Sequence, residues 1–172
     1  MEAVHGHDHA HDHHGPTGIM KYLTTTNHKD IGSMYLWFSF AMFLLGGVMA
    51  LVIRAELFQP GLQIVNPEFF NAMTTYHGLI MVFGAIMPAF VGFANWLIPM
   101  QIGAPDMAFP RMNNWSFWLL PPAALLLILA QFAPGGPAGV GWTLYPPLTI
   151  QQGMSMDLTI FAVHVLGMSS IM

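Results

Sequence analysis

Ser33 to Ile53 reads SMYLWFSFAMFLLGGVMALVI, 21 residues without a charge. Coiled at about 1.5 Å per residue, such a run reaches about 30 Å, the hydrocarbon thickness of a bilayer. Arg54 and Glu56 close it. Working outward, a second apolar run extends from about Ala72 to Met100 and a third from Trp115 to Ala133. The second is longer than a crossing needs, so tilt is expected. The third contains Pro121 and Pro122, which a membrane helix tolerates when neighbours satisfy the freed carbonyls. A fourth run, Met156 to Met172, offers only about 16 residues, too few for a full crossing. It closes on SSIM with no polar flank, the pattern of a helix cut short. The expected fold is an all-α, polytopic transmembrane helix bundle. Three full helices, at about 33–53, 72–100 and 115–133, are joined by a truncated fourth at 156–172.

Composition agrees with a lipid solvent. Of 172 residues, 55% are hydrophobic and 7% charged, against about 25% charged in soluble domains. Cysteine is absent, which excludes disulfides and thiolate metal sites. Metal chemistry is left to His, carboxylates and Met. A formal net charge of −4 gives no reason to expect nucleic-acid binding. Lys21, Lys29 and Arg111 fall on one side of the bundle and Arg54 on the other, which favours a cytoplasmic N-terminus. Trp96, Trp115 and Trp118 lie near run ends, as an aromatic belt would place them.

Residues 1–23 read as a disordered tail carrying His5, His7, His9, His11, His13 and His14. Weak metal capture is one reading of those histidines, and a solvated low-complexity tail is the other. The tail lacks the apolar segment of a secretory signal.

Few residues can carry chemistry. His77, in TTYHGLIMVFG, lies a short way into the second run, where an imidazole is costly unless it finds a partner. Neutral imidazole is a good iron ligand. In a regular helix Gly84 and Pro88 share its face and would admit a flat macrocycle. A packed, hydrogen-bonded histidine beside small residues explains the same pattern. Asp106, in IGAPDMAFPRMNN, sits in the loop after the second run, near Asn95, Asn113, Asn114 and Ser116. It could collect protons for a water chain lined by those side chains. Equally, it could pair with Arg111 or cap the third helix. Arg54 could grip a planar acceptor, and Glu56 with carbonyls near Gly61 could hold Ca²⁺. Interfacial snorkelling and a surface ion pair are the alternatives. His164 reads as a packed polar residue, and His28 as interfacial without a chemical role.

TNHKDIGSMYL (Thr26 to Leu36), IRAELFQPG (Ile53 to Gly61), TYHGLIMVF (Thr75 to Phe83), the stretch Asn95 to Pro122, GWTLYPPL (Gly141 to Leu148) and the Ser169–Ser170 pair stand in order along the chain. Together they resemble subunit I of the haem–copper terminal oxidases, of the cytochrome c oxidase type, over nearly everything after Thr24. The resemblance implies a catalytic subunit that takes electrons from cytochrome c through haem a to a haem a3–copper centre, reduces oxygen to water and pumps protons. His77 is then an axial ligand of haem a. Arg54, Trp142 and Tyr145 are haem neighbours. Asp106 opens a proton pathway continued by Asn95, Asn113, Ser116, Ser169 and Ser170. Glu56 and Gly61 belong to a peripheral Ca²⁺ or Na⁺ site. Partners are subunits II and III, cytochrome c and the lipid of a bacterial inner membrane.

The other haem ligands and the copper ligands of that family fall on later helices, so the 172 residues are expected to be inactive by themselves. The stretch from Pro88 to Asn95 is one residue shorter than the mitochondrial pattern, a difference a helical bulge can absorb. A quinol oxidase of the same superfamily is the runner-up, with Glu56 favouring the cytochrome c type. A non-enzymatic helical membrane protein is the third reading, and requires His77 and Asp106 to be incidental.

Overall fold

The computed structural model describes residues 18–172. The histidine-rich stretch, and both readings of it, lie outside the described residues. Helices are α1 (Ile19–Thr24), α2 (His28–Glu56), α3 (Pro67–Leu79), α4 (Met87–Ile102), α5 (Pro110–Trp118), α6 (Leu120–Ala130) and α7 (Met154–Ile171). A π-helical segment, Ile80–Ile86, joins α3 to α4, and a single 3₁₀ turn covers Leu148–Gln151. No strand occurs among the described residues.

Local chemistry sets the ends. Asn27 caps α2 by accepting from the Lys29 amide at 2.9 Å, and Asn66 caps α3 by accepting from Phe69 at 2.8 Å. Pro67 and Pro110 open their helices at the first turn, where no amide is missed. Gly103 closes α4 in the left-handed conformation at φ 70°. Pro121 and Pro122 lack the amides that would bond Phe117 and Trp118, so the third crossing breaks at Leu119 into α5 and α6.

Among the described residues four helical stretches are long and apolar enough to cross a membrane: 28–56, 67–102, 110–130 and 154–171. The bundle is thus as expected, with corrected bounds. The third crossing begins at Pro110 and stops at Ala130 rather than Ala133, because residues 131–133 turn away. The fourth is not too short: its helix has 18 residues, since Met154 and Ser155 belong to it. Ile19–Thr24, read from the sequence mostly as part of the tail, are helical.

The packing is that of a membrane protein. On α2, Trp37, Phe40, Leu44, Val48 and Leu51 form an exposed apolar stripe. The opposite stripe, His28, Gly32, Tyr35, Ser39, Gly46 and Met49, is buried and largely small or polar. Helices α2 and α4 approach closely where Gly32 faces Gly92. A Cβ added at Gly32 would lie 2.9 Å from the Gly92 carbonyl oxygen and 2.7 Å from Trp96 Cδ1. Backbone cannot yield as a side chain does. In the full-length protein Gly32→Val should therefore cost about 1–3 kcal/mol by overpacking. Thermal unfolding in detergent should show a lower midpoint than the parent.

Candidate functional site

His77 stands half-buried near the end of α3, facing α2. Its Nδ1 lies 2.9 Å from the Gly46 carbonyl oxygen. A carbonyl can only accept, so Nδ1 carries a proton, and in the neutral ring Nε2 is the nitrogen with the lone pair. A ring so held is oriented and more basic at its free nitrogen, the arrangement metal-bound histidines use. Glycine at 46 matters here, for a Cβ there would lie 2.6 Å from Met81 Sδ. One residue on, Gly78 receives Trp142: a Cβ at 78 would lie 2.6 Å from Trp142 Cβ. The loop bearing Trp142 is tied to the same helix by the Gly141 amide, which donates to Thr75 Oγ1 at 2.9 Å. The donor set fits one axial bond to a haem iron. It fits nothing more by itself, because no cluster of three or more His, Cys, Asp or Glu suited to a metal occurs among the described residues.

Gly84 does face α2, as does His77, but not to leave room for a macrocycle. The Met42 side chain fills the space, with Cγ 3.2 Å from where a Cβ would stand. The π segment just upstream of Pro88 widens the helix between His77 and Asn95, so their relative bearing is not that of a regular helix. Arg54 and Tyr145 are exposed, and no hydrogen bond or ion pair joins either to His77. His164 is exposed and its Nδ1 donates to its own helix at Ile160 O, 2.8 Å away.

The second constellation is a polar line crossing α2, α4, α5 and α7. Asp106 shares a polar cleft with Thr26, Asn27, His28, Lys29 and Pro105. Inward of it, His28 Nδ1 donates to the Asn95 carbonyl at 2.8 Å. The Asn113 amide donates to Asn95 Oδ1. Ser116 Oγ donates to the Asn113 carbonyl at 2.7 Å and lies 2.7 Å from the Tyr35 hydroxyl. Since the Ser116 proton is committed to a carbonyl, Tyr35 is the donor of that pair. Ser169 Oγ donates to the Ser116 carbonyl at 2.6 Å. A cleft lined by Tyr35, Pro88, Ser169 and Ser170, among others, continues beyond. Asn95, Asn113, Ser116, Ser169 and Tyr35 are all buried.

Asp106 takes neither of its structural alternatives. The one ion pair among the described residues is Lys21–Asp30 at 3.6 Å. Phe109, not an acidic side chain, precedes α5. Asp106 Oδ1 accepts the adjacent Met107 amide at 2.7 Å, and the carboxylate otherwise borders the cleft.

Sequence reasoning missed two members of this line, His28 and Tyr35. His28, read from the sequence as interfacial and without a role, is buried against α4. Both sit on one stripe of α2 with Gly32 and Ser39, at helical spacing. A polar stripe on an otherwise apolar membrane helix was the available signal.

Glu56 is buried at the end of α2, and both of its carboxylate oxygens accept hydrogen bonds. It accepts the amides of Gln63 at 2.8 Å, Ile64 at 2.6 Å and Val65 at 2.9 Å. Gly61 makes the turn that brings those amides round, at φ 95°. The residues as arranged make a loop anchor.

Comparison with known proteins places this architecture. The family model described as cytochrome c and quinol oxidase polypeptide I matches residues 30–172. A Streptomyces avermitilis protein described as a putative cytochrome c oxidase subunit 1-beta is 47% identical over 157 residues, covering 90% of this chain and 28% of that protein. A Streptomyces coelicolor protein, a probable cytochrome c oxidase subunit 1-alpha, is also 47% identical over 157 residues, with 90% and 27% covered. Cytochrome c oxidase subunit 1 of Corynebacterium glutamicum is 45% identical over 152 residues, with 87% and 26% covered. The chain thus spans about a quarter of the length of these relatives. A bundle of membrane-crossing helices, an imidazole held with one nitrogen free and a family match over residues 30–172 agree, and the chain belongs to the cytochrome c and quinol oxidase polypeptide I family.

Proposed function

We propose that this chain is the haem a-ligating and proton-admitting part of a bacterial cytochrome c oxidase. The whole subunit passes electrons from cytochrome c to a haem–copper centre, reduces oxygen and pumps protons. It works with subunits II and III in the inner membrane, with its N-terminus cytoplasmic. The observation that carries this reading is the His77 ring, anchored by Nδ1 on Gly46 with Nε2 free. When bound, haem a supplies a one-electron relay whose potential is set by its axial ligands and surroundings. His77 orients and holds one side of that iron. Trp142, packed on Gly78, fixes the helix beside it.

Asp106 takes protons from the cytoplasmic side at the cleft it shares with His28. Asn95 and Asn113 cannot themselves carry protons, but their amides order water between α4 and α5. Ser116, Tyr35 and Ser169 continue that order with hydroxyls that donate in a fixed sense. The Lys and Arg distribution supports the sidedness. Lys29 borders the Asp106 cleft, whereas Arg54 lies at the far end of α2.

The donor decides between the two oxidase types. Purified full-length enzyme with its partner subunits should consume oxygen with reduced cytochrome c and remain nearly inert with a quinol. The reverse preference would assign the quinol type. A further prediction concerns Tyr35. Tyr35→Phe removes the donor to a buried Ser116 hydroxyl, a loss of about 1–3 kcal/mol when left unmet. Turnover in stopped-flow oxygen reduction should fall several-fold with haem spectra unchanged. Parental turnover would remove Tyr35 from the path.

A further inference from the structure

α1 has six residues, too few to hold a helix alone. Its last carbonyls lack partners within the helix, and α5 supplies them. Asn114 Nδ2 donates to the Leu23 carbonyl at 2.7 Å, and Trp118 Nε1 to the Tyr22 carbonyl at 3.3 Å. On the other side, Lys21 Nζ stands 3.6 Å from Asp30 of α2. Ile19, Met20, Tyr22 and Leu23 remain exposed, as suits a segment lying in the membrane interface. Only residues 25–27 separate α1 from α2, and Thr26, Asn27 and His28 form one wall of the Asp106 cleft. Where α1 is held therefore decides where that wall stands.

Asn114 itself is 5% exposed, and its Oδ1 has no partner. Turning the amide over would set that oxygen against the Leu23 carbonyl, so the orientation is fixed. A buried amide oxygen is costly to leave unmet, and a bound water is the natural donor. Its neighbour Asn113 reaches the other way, to Asn95 of α4. One turn of α5 thus ties both sides of the proton path together.

We propose that Asn114 is a positioning residue for proton uptake, holding α1 and the 26–28 wall of the Asp106 cleft in place, with a buried water completing its Oδ1. The proposal rests on the reading of Asp106 as the proton acceptor. It is tested in the full-length oxidase with its partner subunits. Proton uptake from bulk water is followed by a pH dye in a single turnover, beside electron transfer into haem a. Asn114→Ala should slow uptake about two- to tenfold, the worth of one hydrogen bond. Electron transfer and the reduced haem a band should stay parental, and Asn114→Gln should recover most of the rate. Parental uptake in Asn114→Ala, or equal slowing of uptake and electron transfer, would overturn it. Should that variant fail to assemble, Trp118→Phe removes only the bond to Tyr22. A smaller slowing of uptake alone is expected there, and parental uptake overturns the proposal. Asp106→Asn separates the two ideas. If it blocks uptake while Asn114→Ala does not, only the positioning role fails. If it leaves uptake normal, the reading of Asp106 fails first.

Discussion

His77→Ala in the full-length subunit is expected to abolish the red-shifted reduced band of low-spin haem a and to take oxygen consumption down by more than about a hundredfold. Losing a partner that merely orients a metal ligand costs 10- to 100-fold, and on the proposed reading the ligand itself is lost. Solvation matters here as well as bonding. At the His77 position, facing α2 in a membrane-crossing helix, an imidazole nitrogen without a partner is costly. Gly46 satisfies Nδ1, and Nε2 has no hydrogen-bond partner among the described residues. Alanine removes both needs, so the helix should still insert. The expected outcome is therefore a subunit present in the membrane and lacking one haem signal, rather than an absent one. An optical spectrum together with an immunoblot distinguishes the two. An unaltered reduced band would mean that Nε2 serves some other partner.

Asp106→Asn carries the second large effect. Asparagine keeps the shape and can still accept the Met107 amide, now at 2.7 Å from Asp106 Oδ1. What it loses is the ability to bind and release a proton. A positioned acid–base group contributes about 10²–10⁴-fold to a proton-transfer step, so turnover should fall about a hundredfold. Proton release on the outer side should fall with it. Normal turnover with normal pumping would place proton uptake elsewhere.

Much of the fold was legible because membrane insertion imposes a crude rule. A charge-free run such as Ser33–Ile53 has few other solutions, and α2 contains it whole. The ends were less legible, for they depend on caps. Asn66 with Pro67, and Phe109 with Pro110, begin helices several residues before the apolar signal rises. The π segment at Ile80–Ile86 leaves no compositional mark, so the face shared by His77 and Gly84 was sound only in part. Both turn to α2, yet Met42 occupies the space that small residues were expected to leave.

The site divided the same way. His77 stood out as a lone imidazole in an apolar run. Asn95, Asn113 and Ser116 were legible by type, but their hydrogen bonds depend on α4 meeting α5. Tyr35 was hidden, because an aromatic ring in a membrane helix passes for a hydrophobe. Its hydroxyl acquires meaning only where Ser116, 81 residues away in sequence, comes within 2.7 Å. The loop contacts of Glu56 were hidden as well. A carboxylate beside a glycine turn suggests a cation, and only the folded loop reveals three amides already turned toward it.

The most direct test of the account is the nitrogen ligation of the low-spin ferric haem. Purified full-length enzyme with ¹⁵N-labelled histidine, in its parental and His77→Met forms, can be compared by pulsed electron paramagnetic resonance. The account predicts strong coupling to two imidazole nitrogens in the parent and to one in the variant, with the potential raised by the thioether. Two strongly coupled imidazole nitrogens in both would show that the iron is held by histidines other than His77.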